Sequence, residues 1–187
     1  RKLSIIKQSI PSIILCSHNA AHDERGYLER IFCSRELKKI MSNKKIVQVN
    51  RTFTKKKGTI RGMHYQKKPF QETKIIQCIK GKILDIAVDL RKNSKTFLKH
   101  TSIYLDSKKP NSLIIPEGFA HGFQTLTNNV ELLYFHTNFY NPKYESGLNP
   151  LDKLLSIDWP LNCKYLSERD CNFSLIDDKS IHKGFKI

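Results

Sequence analysis

The range 45–137 is the part of the sequence that most limits what this chain can fold into. It is a succession of short β-prone runs separated by turn-forming residues, a pattern typical of a β-sandwich or β-barrel. Apolar and polar residues do not alternate cleanly across 82–90, which predicts a central strand covered on both faces, and Gly81 supplies the break before it. The predicted strands span residues 45–50, 59–65, 73–80, 82–89, 101–105, 113–115 and 130–137.

Helix signals are weak and lie outside this range. Residues 30–41 carry apolar side chains at helical spacing and form the best helix candidate, while 150–155 starts with a proline and predicts one short helical turn. From residue 160 the chain is rich in turn formers, so we expect an irregular stretch that wraps back over the strands. No internal repeat or low-complexity linker interrupts the sequence, which predicts a single domain over residues 1–187.

The formal charge of +16 raises the question of nucleic-acid binding. The lysines are scattered in short runs, and the sequence contains neither a basic tail, nor a recognition-helix signature, nor the aromatic motif of RNA-binding sheets. We therefore expect no nucleic-acid partner. Part of the charge is suited to steering a polyanionic small molecule, such as a nucleoside diphosphate, towards a cleft.

The five cysteines and the first residues bear on the compartment. The cysteines are odd in number, widely spaced and never arranged as Cys-x-x-Cys, which argues against a disulfide framework or zinc knuckle and favours reduced, buried thiols. The longest apolar run near the start, 13–16, is too short for a signal peptide or a membrane span. These features predict a cytoplasmic protein without a membrane partner.

Two motifs contain a histidine in a glycine-rich setting. Residues 58–66 read Gly-Thr-Ile-Arg-Gly-Met-His-Tyr-Gln, and 115–123 read Ile-Pro-Glu-Gly-Phe-Ala-His-Gly-Phe. They resemble the two signature motifs of the cupin superfamily, except that Gln66 stands where a metal-binding cupin has its second histidine. Two imidazoles fall short of the three protein ligands that a catalytic metal usually needs. We therefore predict no metal, and expect His64 and His121 to act in proton transfer and hydrogen bonding.

Nine segments together resemble one enzyme family. In order, they cover 23–29, 48–50, 61–66, Lys74, 85–91, 116–123, 132–134, 157–160 and 166–170. In this order they are similar to the dTDP-4-dehydrorhamnose 3,5-epimerase family over most of the chain. The resemblance implies an all-β, cupin-type double-stranded β-helix (a jelly-roll barrel) with short peripheral helices. It also implies a homodimer, a nucleotide-sugar substrate, and a role in dTDP-rhamnose and cell-surface polysaccharide biosynthesis.

Members of that family invert the two carbons that flank the ketone of a nucleotide-linked 4-keto-6-deoxy sugar. A C–H proton beside a ketone can be removed because the negative charge spreads onto the oxygen as an enolate. A base on one face of the sugar, an acid on the other and a cation at the oxygen are sufficient. No glycine-rich dinucleotide loop is present, so no redox cofactor is expected.

The resemblance assigns the proton transfers to three residues. His64 is the expected base, since an imidazole is poised near neutral pH, and Asp170 is expected to accept its other ring N–H and stabilise the imidazolium. Tyr134 occupies the family's position for the general acid. Tyr140 is a second phenol nearby in sequence, so the acid role remains open between the two tyrosines.

The resemblance also implies the residues around the proton carriers. Lys74 is expected to face the ketone oxygen, and His121 is expected to hydrogen-bond near the same atom. Arginine side chains suit a diphosphate because their forked donors match phosphate oxygens, and Tyr27 is expected to pack on the base or sugar. The remaining residues expected to line the nucleotide-sugar site are Arg25, Glu29, Gln48, Asn50 and Arg61.

Two departures from the family pattern keep other functions open. Phe135 and His136 follow Tyr134 where many members have a basic residue, and Phe139 replaces a tyrosine. A 3- or 5-mono-epimerase, or a ketoisomerase acting on a related nucleotide sugar, is one alternative. The other is a non-catalytic cupin that binds a sugar nucleotide or, given the charge, nucleic acid.

Overall fold

The computed structural model describes residues 2–187 and contains thirteen strands within that range. The strands are β1 (Leu3–Lys7), β2 (Ile14–His18), β3 (Ala21–Asp23), β4 (Gly26–Leu28), β5 (Gln48–Thr54), β6 (Ile60–Gln66), β7 (Lys74–Lys80), β8 (Lys82–Asp89), β9 (His100–Asp106), β10 (Asn111–Ile115), β11 (Phe119–Thr125), β12 (Val130–His136) and β13 (Glu145–Gly147). The helices are α1 (Lys38–Met41), α2 (Glu168–Cys171) and α3 (Asp178–Lys183), with one 3₁₀ turn at Lys153–Leu155.

The strands form two antiparallel sheets and a separate ribbon. The larger sheet has the order β1-β2-β10-β7-β12-β5, the smaller has the order β13-β6-β11-β8-β9, and β3 pairs with β4. Between the sheets lies an apolar core that includes Ile76 and Leu132 from the larger sheet and Ile83 and Phe123 from the smaller. The predicted all-β architecture with short peripheral helices is confirmed.

Each sheet is also partly covered on its outer face. Leu37 and Met41, around α1, pack on the outside of the larger sheet against Ile75 and Ile114. The chain beyond residue 150 covers the smaller sheet, where Ile176 joins a cluster with side chains of β6, β8 and β11. The prediction that the C-terminal stretch wraps back over the barrel is confirmed, although it includes α2 and α3 in place of a wholly irregular course.

The strand predictions succeed where patterning is strong. Strands β6, β7, β8, β9, β10 and β12 lie within two residues of their predicted bounds, whereas β5 runs from residue 48 to 54 instead of from 45 to 50. Strand β8 is buried along nearly its whole length, as its unbroken apolar run predicted. Strands β1 to β4, β11 and β13 were not predicted; in β11 every residue is buried, so the alternation that marks a half-exposed strand is absent.

The predicted helix over 30–41 is wrong apart from its last four residues, Lys38–Met41. Glu36 accepts a hydrogen bond from the backbone N–H of Leu3 and forms an ion pair with Arg30. These contacts hold the segment against β1. So short a helical pattern has little stability of its own, and tertiary contacts therefore decide its conformation.

Gly81, predicted as a break, separates β7 from β8 with a φ of +82°. A Cβ at this position would lie 2.5 Å from Thr127 Oγ1, so only glycine fits the turn.

In the part of the chain that the structure describes, no helix is long and apolar enough to cross a membrane.

Candidate active site

The two histidine motifs become neighbouring strands. β6 and β11 pair so that His64 lies opposite His121, and the ladder shifts just beyond this pair. The backbones approach closely at two glycines: a Cβ on Gly62 would lie 2.5 Å from the Cα of Gly122. Since Met63 packs on the outer face and strand side chains alternate, His64 points to the interior. The glycines therefore let two distant motifs place their histidines side by side.

His64 and Asp170 form a hydrogen-bonded pair. The Nε2 of His64 lies 2.7 Å from Oδ1 of Asp170, whose side chain is only 3% exposed, while the imidazole remains 23% exposed. Ser167 caps the short helix α2 by accepting a hydrogen bond from the Asp170 N–H, and Gly62 N–H donates to Asp170 Oδ2. With the ring proton on Nε2 donated to Asp170, the lone pair of a neutral His64 is on Nδ1.

The carboxyl of Asp170 is prepared to carry negative charge. Burial raises the pKa of Asp170. The hydrogen bond and charge of His64 and the hydrogen bond from the Gly62 N–H lower this pKa by more than burial raises it, so the net value lies below the ordinary one. At neutral pH Asp170 is therefore a carboxylate, which can accept the Nε2–H of His64.

A cavity of about 430 Å³ opens in front of this pair. Arg61 reaches into it from β6, where its Nε donates a 3.0 Å hydrogen bond to Thr54 Oγ1. Tyr165 belongs to a segment that pairs with Thr59 at the edge of β6. The residues that line the cavity are Thr59, Ile60, Arg61, His64, Tyr165, Leu166, Ser167, Arg169 and Asp170.

Arg169 and Glu145 lie beside His64 but were not predicted as site residues. A guanidinium nitrogen of Arg169 is 3.1 Å from His64 Nε2, and another donates to Glu145 Oε2 at 2.9 Å. Tyr140 donates its phenol proton to the same Glu145 oxygen, which raises the pKa of Tyr140. The signal for Arg169 was its position next to Asp170; no local pattern marked Glu145.

Tyr134 faces the histidines from the other sheet. Its ring lies 5.9 Å from that of His121, nearly perpendicular to it, and packs against the inner core. Burial raises the pKa of Tyr134 well above the ordinary phenol value, and the negative charge of Asp85 adds to this, while Arg61 opposes it. Tyr134 is therefore a protonated phenol at neutral pH.

Behind Tyr134 lies a buried pair that holds His121. The Nε2 of His121 is 2.8 Å from Oδ2 of Asp85, and both side chains are buried. Burial raises the pKa of Asp85, whereas His121 and the ammonium of Lys74 counteract it, with a net rise. Asp85 belongs to a matched segment, but the sequence assigned it no role.

Lys74 enters the interior at the start of β7. Its Nζ lies 3.4 Å from Oε1 of Glu72, and the other oxygen of Glu72 is 2.7 Å from Nδ1 of His136. Gln48 and Asn50 lie across β12 on β5, where Asn50 is paired with Tyr134 and Gln48 with His136. Neither Glu72 nor His136 was predicted as a site residue.

Of the predicted site residues, Arg61, His64 and Asp170 line this cavity, while three others lie in or beside the β3–β4 ribbon. Arg25 is exposed and pairs with Asp23 in the β3–β4 ribbon, where Tyr27 packs near His22. Glu29 lies against Gln77 and the buried His18. None of the contacts among residues 2–187 joins Arg25, Tyr27 or Glu29 to His64.

The departures from the family pattern have local explanations. Phe135 stacks on Phe32 at 6.2 Å on the outer face of the larger sheet, away from the interior. Gln66 donates to the carbonyls of Phe70 and Phe139 and accepts from the Asn141 N–H, so it ties two loops together. Residues 2–187 contain no group of three or more His, Cys, Asp or Glu side chains arranged to hold a metal ion.

The cysteines are free thiols, with Cys16 and Cys78 buried, but Cys171 is exposed. The prediction of buried thiols is therefore wrong for Cys171, which ends α2 at the surface.

Comparisons with known proteins agree on one family. The family model described as dTDP-4-dehydrorhamnose 3,5-epimerase matches residues 7–178. A dTDP-4-dehydrorhamnose 3,5-epimerase from Shigella flexneri is 36% identical over 171 residues, which cover 91% of this chain and 94% of the relative.

Two solved structures are informative for the fold and the chemistry. The Legionella pneumophila epimerase in complex with dTDP-4-keto-L-rhamnose superposes with a TM-score of 0.88 at 31% identity, covering 92% of both chains. A 3′-monoepimerase from Streptomyces bikiniensis with dTDP-quinovose gives a TM-score of 0.85 at 29% identity, covering 90% of this chain and 86% of that one. The predicted cupin-type jelly roll is confirmed by these likenesses.

Proposed function

Because the chain belongs to the dTDP-4-dehydrorhamnose 3,5-epimerase family, it is a nucleotide-sugar epimerase, and we propose that His64 and Tyr134 carry out its proton transfers. The observation that carries this proposal is their placement on opposite sheets. His64 enters the interior from β6, and Tyr134 from β12. Inversion of a carbon requires that a proton leave one face and arrive at the other, and this arrangement supplies both faces.

In the proposed reaction, Nδ1 of His64 removes the proton from a carbon beside the ketone. Asp170 stabilises the imidazolium that forms, through the 2.7 Å hydrogen bond from Nε2. The electrons of the broken C–H bond move to the ketone oxygen, where the ammonium of Lys74 and a hydrogen bond from His121 stabilise the enolate. Tyr134 then gives its phenol proton to the carbon from the opposite face.

The substrate is a nucleoside-diphosphate 4-keto-6-deoxy-hexose. The same residues act in turn on C3 and C5, after exchange with solvent has removed the proton from the His64 imidazolium and returned one to the Tyr134 phenolate. Arg61, together with Arg169 at the mouth of the cavity, is suited to the diphosphate because guanidinium groups bind phosphate oxygens in pairs. The pathway we propose is dTDP-rhamnose synthesis for cell-surface polysaccharide.

Inversion at C3 alone is a second candidate. It is favoured by the likeness to the Streptomyces bikiniensis 3′-monoepimerase and by His136, which follows Tyr134 in the interior where the family pattern differs. Product stereochemistry distinguishes the two activities.

The protein is proposed to act as a homodimer. Among residues 2–187, strand β5 is an edge strand paired with β12, and it exposes Val49 and Phe53. Exposed edge strands commonly pair with another copy.

A cytoplasmic location is proposed because all five cysteines are free thiols, which is usual in a reducing compartment.

The decisive experiment follows isotope exchange. The protein is incubated with dTDP-4-keto-6-deoxyglucose in deuterated water, and NMR follows deuterium at the two carbons beside the ketone. We expect label at both carbons; His64→Ala should slow it by roughly a hundredfold or more, and Tyr134→Phe should slow it strongly.

Tyr104→Phe is the matched control, because Tyr104 is an exposed phenol on β9. If Tyr140→Phe, and not Tyr134→Phe, stopped inversion, the acid would be reassigned to Tyr140. Label at one carbon would select the mono-epimerase, and label at neither in folded protein would contradict the proposed activity.

A further inference from the structure

The buried carboxylate of Glu72 contacts two side chains. Its Oε1 is 3.4 Å from the Lys74 ammonium and its Oε2 is 2.7 Å from Nδ1 of His136. The side chains of Glu72, His136 and Lys74 are only 7%, 10% and 13% exposed, respectively. Water is therefore largely excluded from all three. In such surroundings an ionic group depends on its protein partners, so the loss of one partner changes the position of the others.

The strand register brings these groups together. His136 on β12 is paired with Lys74 on β7 and, on its other side, with Gln48 on β5. His136 also stacks almost parallel on Tyr134, with the ring centroids 6.1 Å apart. His136 therefore lies between Lys74, the proposed enolate-stabilising residue, and β5, which carries the proposed substrate-binding amides of Gln48 and Asn50.

One tautomer of His136 satisfies both of its ring nitrogens. A proton on Nδ1 is donated to Glu72, which leaves Nε2 to accept a hydrogen bond from Nδ2 of Asn50 at 3.4 Å. The side-chain oxygen Oδ1 of Asn50 in turn accepts a hydrogen bond from Nε2 of Gln48. A continuous chain of contacts therefore runs from Gln48 and Asn50 through His136 and Glu72 to Lys74.

We propose that Glu72 and His136 are positioning residues that hold the Lys74 ammonium at the ketone oxygen and link its position to Asn50. This rests on the proposed function, in which Lys74 stabilises the enolate. A lysine has a flexible four-carbon stem, so its ammonium needs an anchor to stay in one place. Glu72 is that anchor, and the hydrogen bond from His136 keeps the carboxylate from rotating away.

The charge state of Glu72 is consistent with an anchor. Burial raises its pKa, but the hydrogen bond from His136 and the charge of Lys74 lower it more, so the net pKa lies below the ordinary value. Asp85 is a further negative group near Lys74, and it lies on β8 in the opposite sheet. Glu72 is therefore the carboxylate in contact with Lys74, and its own position is controlled by His136.

The test uses the rate and the Michaelis constant of deuterium exchange in four variants. Glu72→Gln and His136→Ala should each lower kcat about tenfold, the factor expected for one lost charge-assisted hydrogen bond, with KM changed much less. His136→Asn retains a donor at the place of Nδ1 and should restore most of kcat. In the double variant Glu72→Gln/His136→Ala, the loss should be close to that of either single variant, because both act through one anchor.

His182→Ala is the matched control, since His182 is an exposed histidine on α3. Thermal unfolding is measured for every variant. If His136→Ala does not fold, the two single variants Glu72→Gln and His136→Asn decide the question. An unchanged kcat in Glu72→Gln, no rescue by His136→Asn, or fully additive losses would overturn the proposal. Failure of the proposed function is a separate result, because the unmodified protein would then show no exchange at all.

Discussion

At the residue scale, the site works by giving each charged or polar group a defined partner. Asp170 sets the tautomer of His64, Asp85 holds His121, and Glu72 holds Lys74. In each pair a carboxyl group with little or no exposure lies 2.7 to 3.4 Å from a side-chain nitrogen. Directional contacts of this kind hold the groups in defined positions, which is the preorganisation that the proposed electrostatic catalysis requires.

Asp89 forms a similar arrangement outside the site and predicts an effect of pH on stability. Burial raises its pKa, but hydrogen bonds from Arg91, Ser94 and Thr96 lower it to about 2. Because this pKa is depressed on folding, the stabilisation is fully present above the unfolded value of about 4 and is lost as the pH falls towards 2.

We therefore expect Asp89→Asn to lower the free energy of unfolding at pH 7 by about 2 kcal/mol and much less near pH 2. Urea unfolding measured across that range tests this. Asp106→Asn, on the partly exposed end of β9, is the control. An equal loss at both pH values would show that Asp89 does not act through its charge.

At the scale of elements, the pairing of β6 with β11 brings the two histidine motifs together. Gly62 makes this possible, because its φ of +132° and its contact with Gly122 leave no space for a side chain. Gly26 has the same φ but nothing within 4 Å of its Cβ position. A comparison of substitutions at the two glycines therefore separates the cost of the backbone conformation from the cost of steric contact.

We expect Gly62→Ala to destabilise the protein by about 1 to 3 kcal/mol more than Gly26→Ala, the usual cost of overpacking. Chemical denaturation of both variants measures the difference. Equal losses would mean that the backbone conformation alone, and not the close approach of β6 to β11, requires glycine at position 62.

At the scale of the whole molecule, part of the positive charge lies beside the site. Lys56, Lys57 and Lys164 line a second cavity of about 650 Å³ that shares Tyr165 with the cavity of His64. The ammonium of Lys56 lies 4.4 Å from the centre of the Tyr165 ring. These lysines are placed to attract an anionic substrate towards the entrance.

Raising the salt concentration should therefore lower kcat/KM for the nucleotide sugar by roughly three- to tenfold while kcat stays nearly constant, because steering acts on encounter. Steady-state kinetics between low and high sodium chloride measure this dependence. Lys57→Glu should reduce it, whereas Lys183→Glu, on α3 over the outer face of the smaller sheet, should not. A kcat/KM that is insensitive to salt would exclude steering.

The sequence by itself determined the all-β class, most central strands and the family. Alternation, turn formers and the order of short motifs are local properties that need no knowledge of which strands pair. The same motifs supplied His64, Lys74, Tyr134 and Asp170 as candidates. Local pattern failed for β11, which is buried on both faces, and for 30–41, where contacts with β1 replace a helix.

Only the tertiary structure decided which of these residues meet. His64 and Asp170 are 106 residues apart in the chain, and Glu72 and His136 are 64 apart. Such contacts depend on the order and register of strands in two sheets, which no local sequence pattern encodes. For the same reason the structure, and not the sequence, separates Arg25, Tyr27 and Glu29 from the cavity and brings Arg169 and Glu145 beside His64.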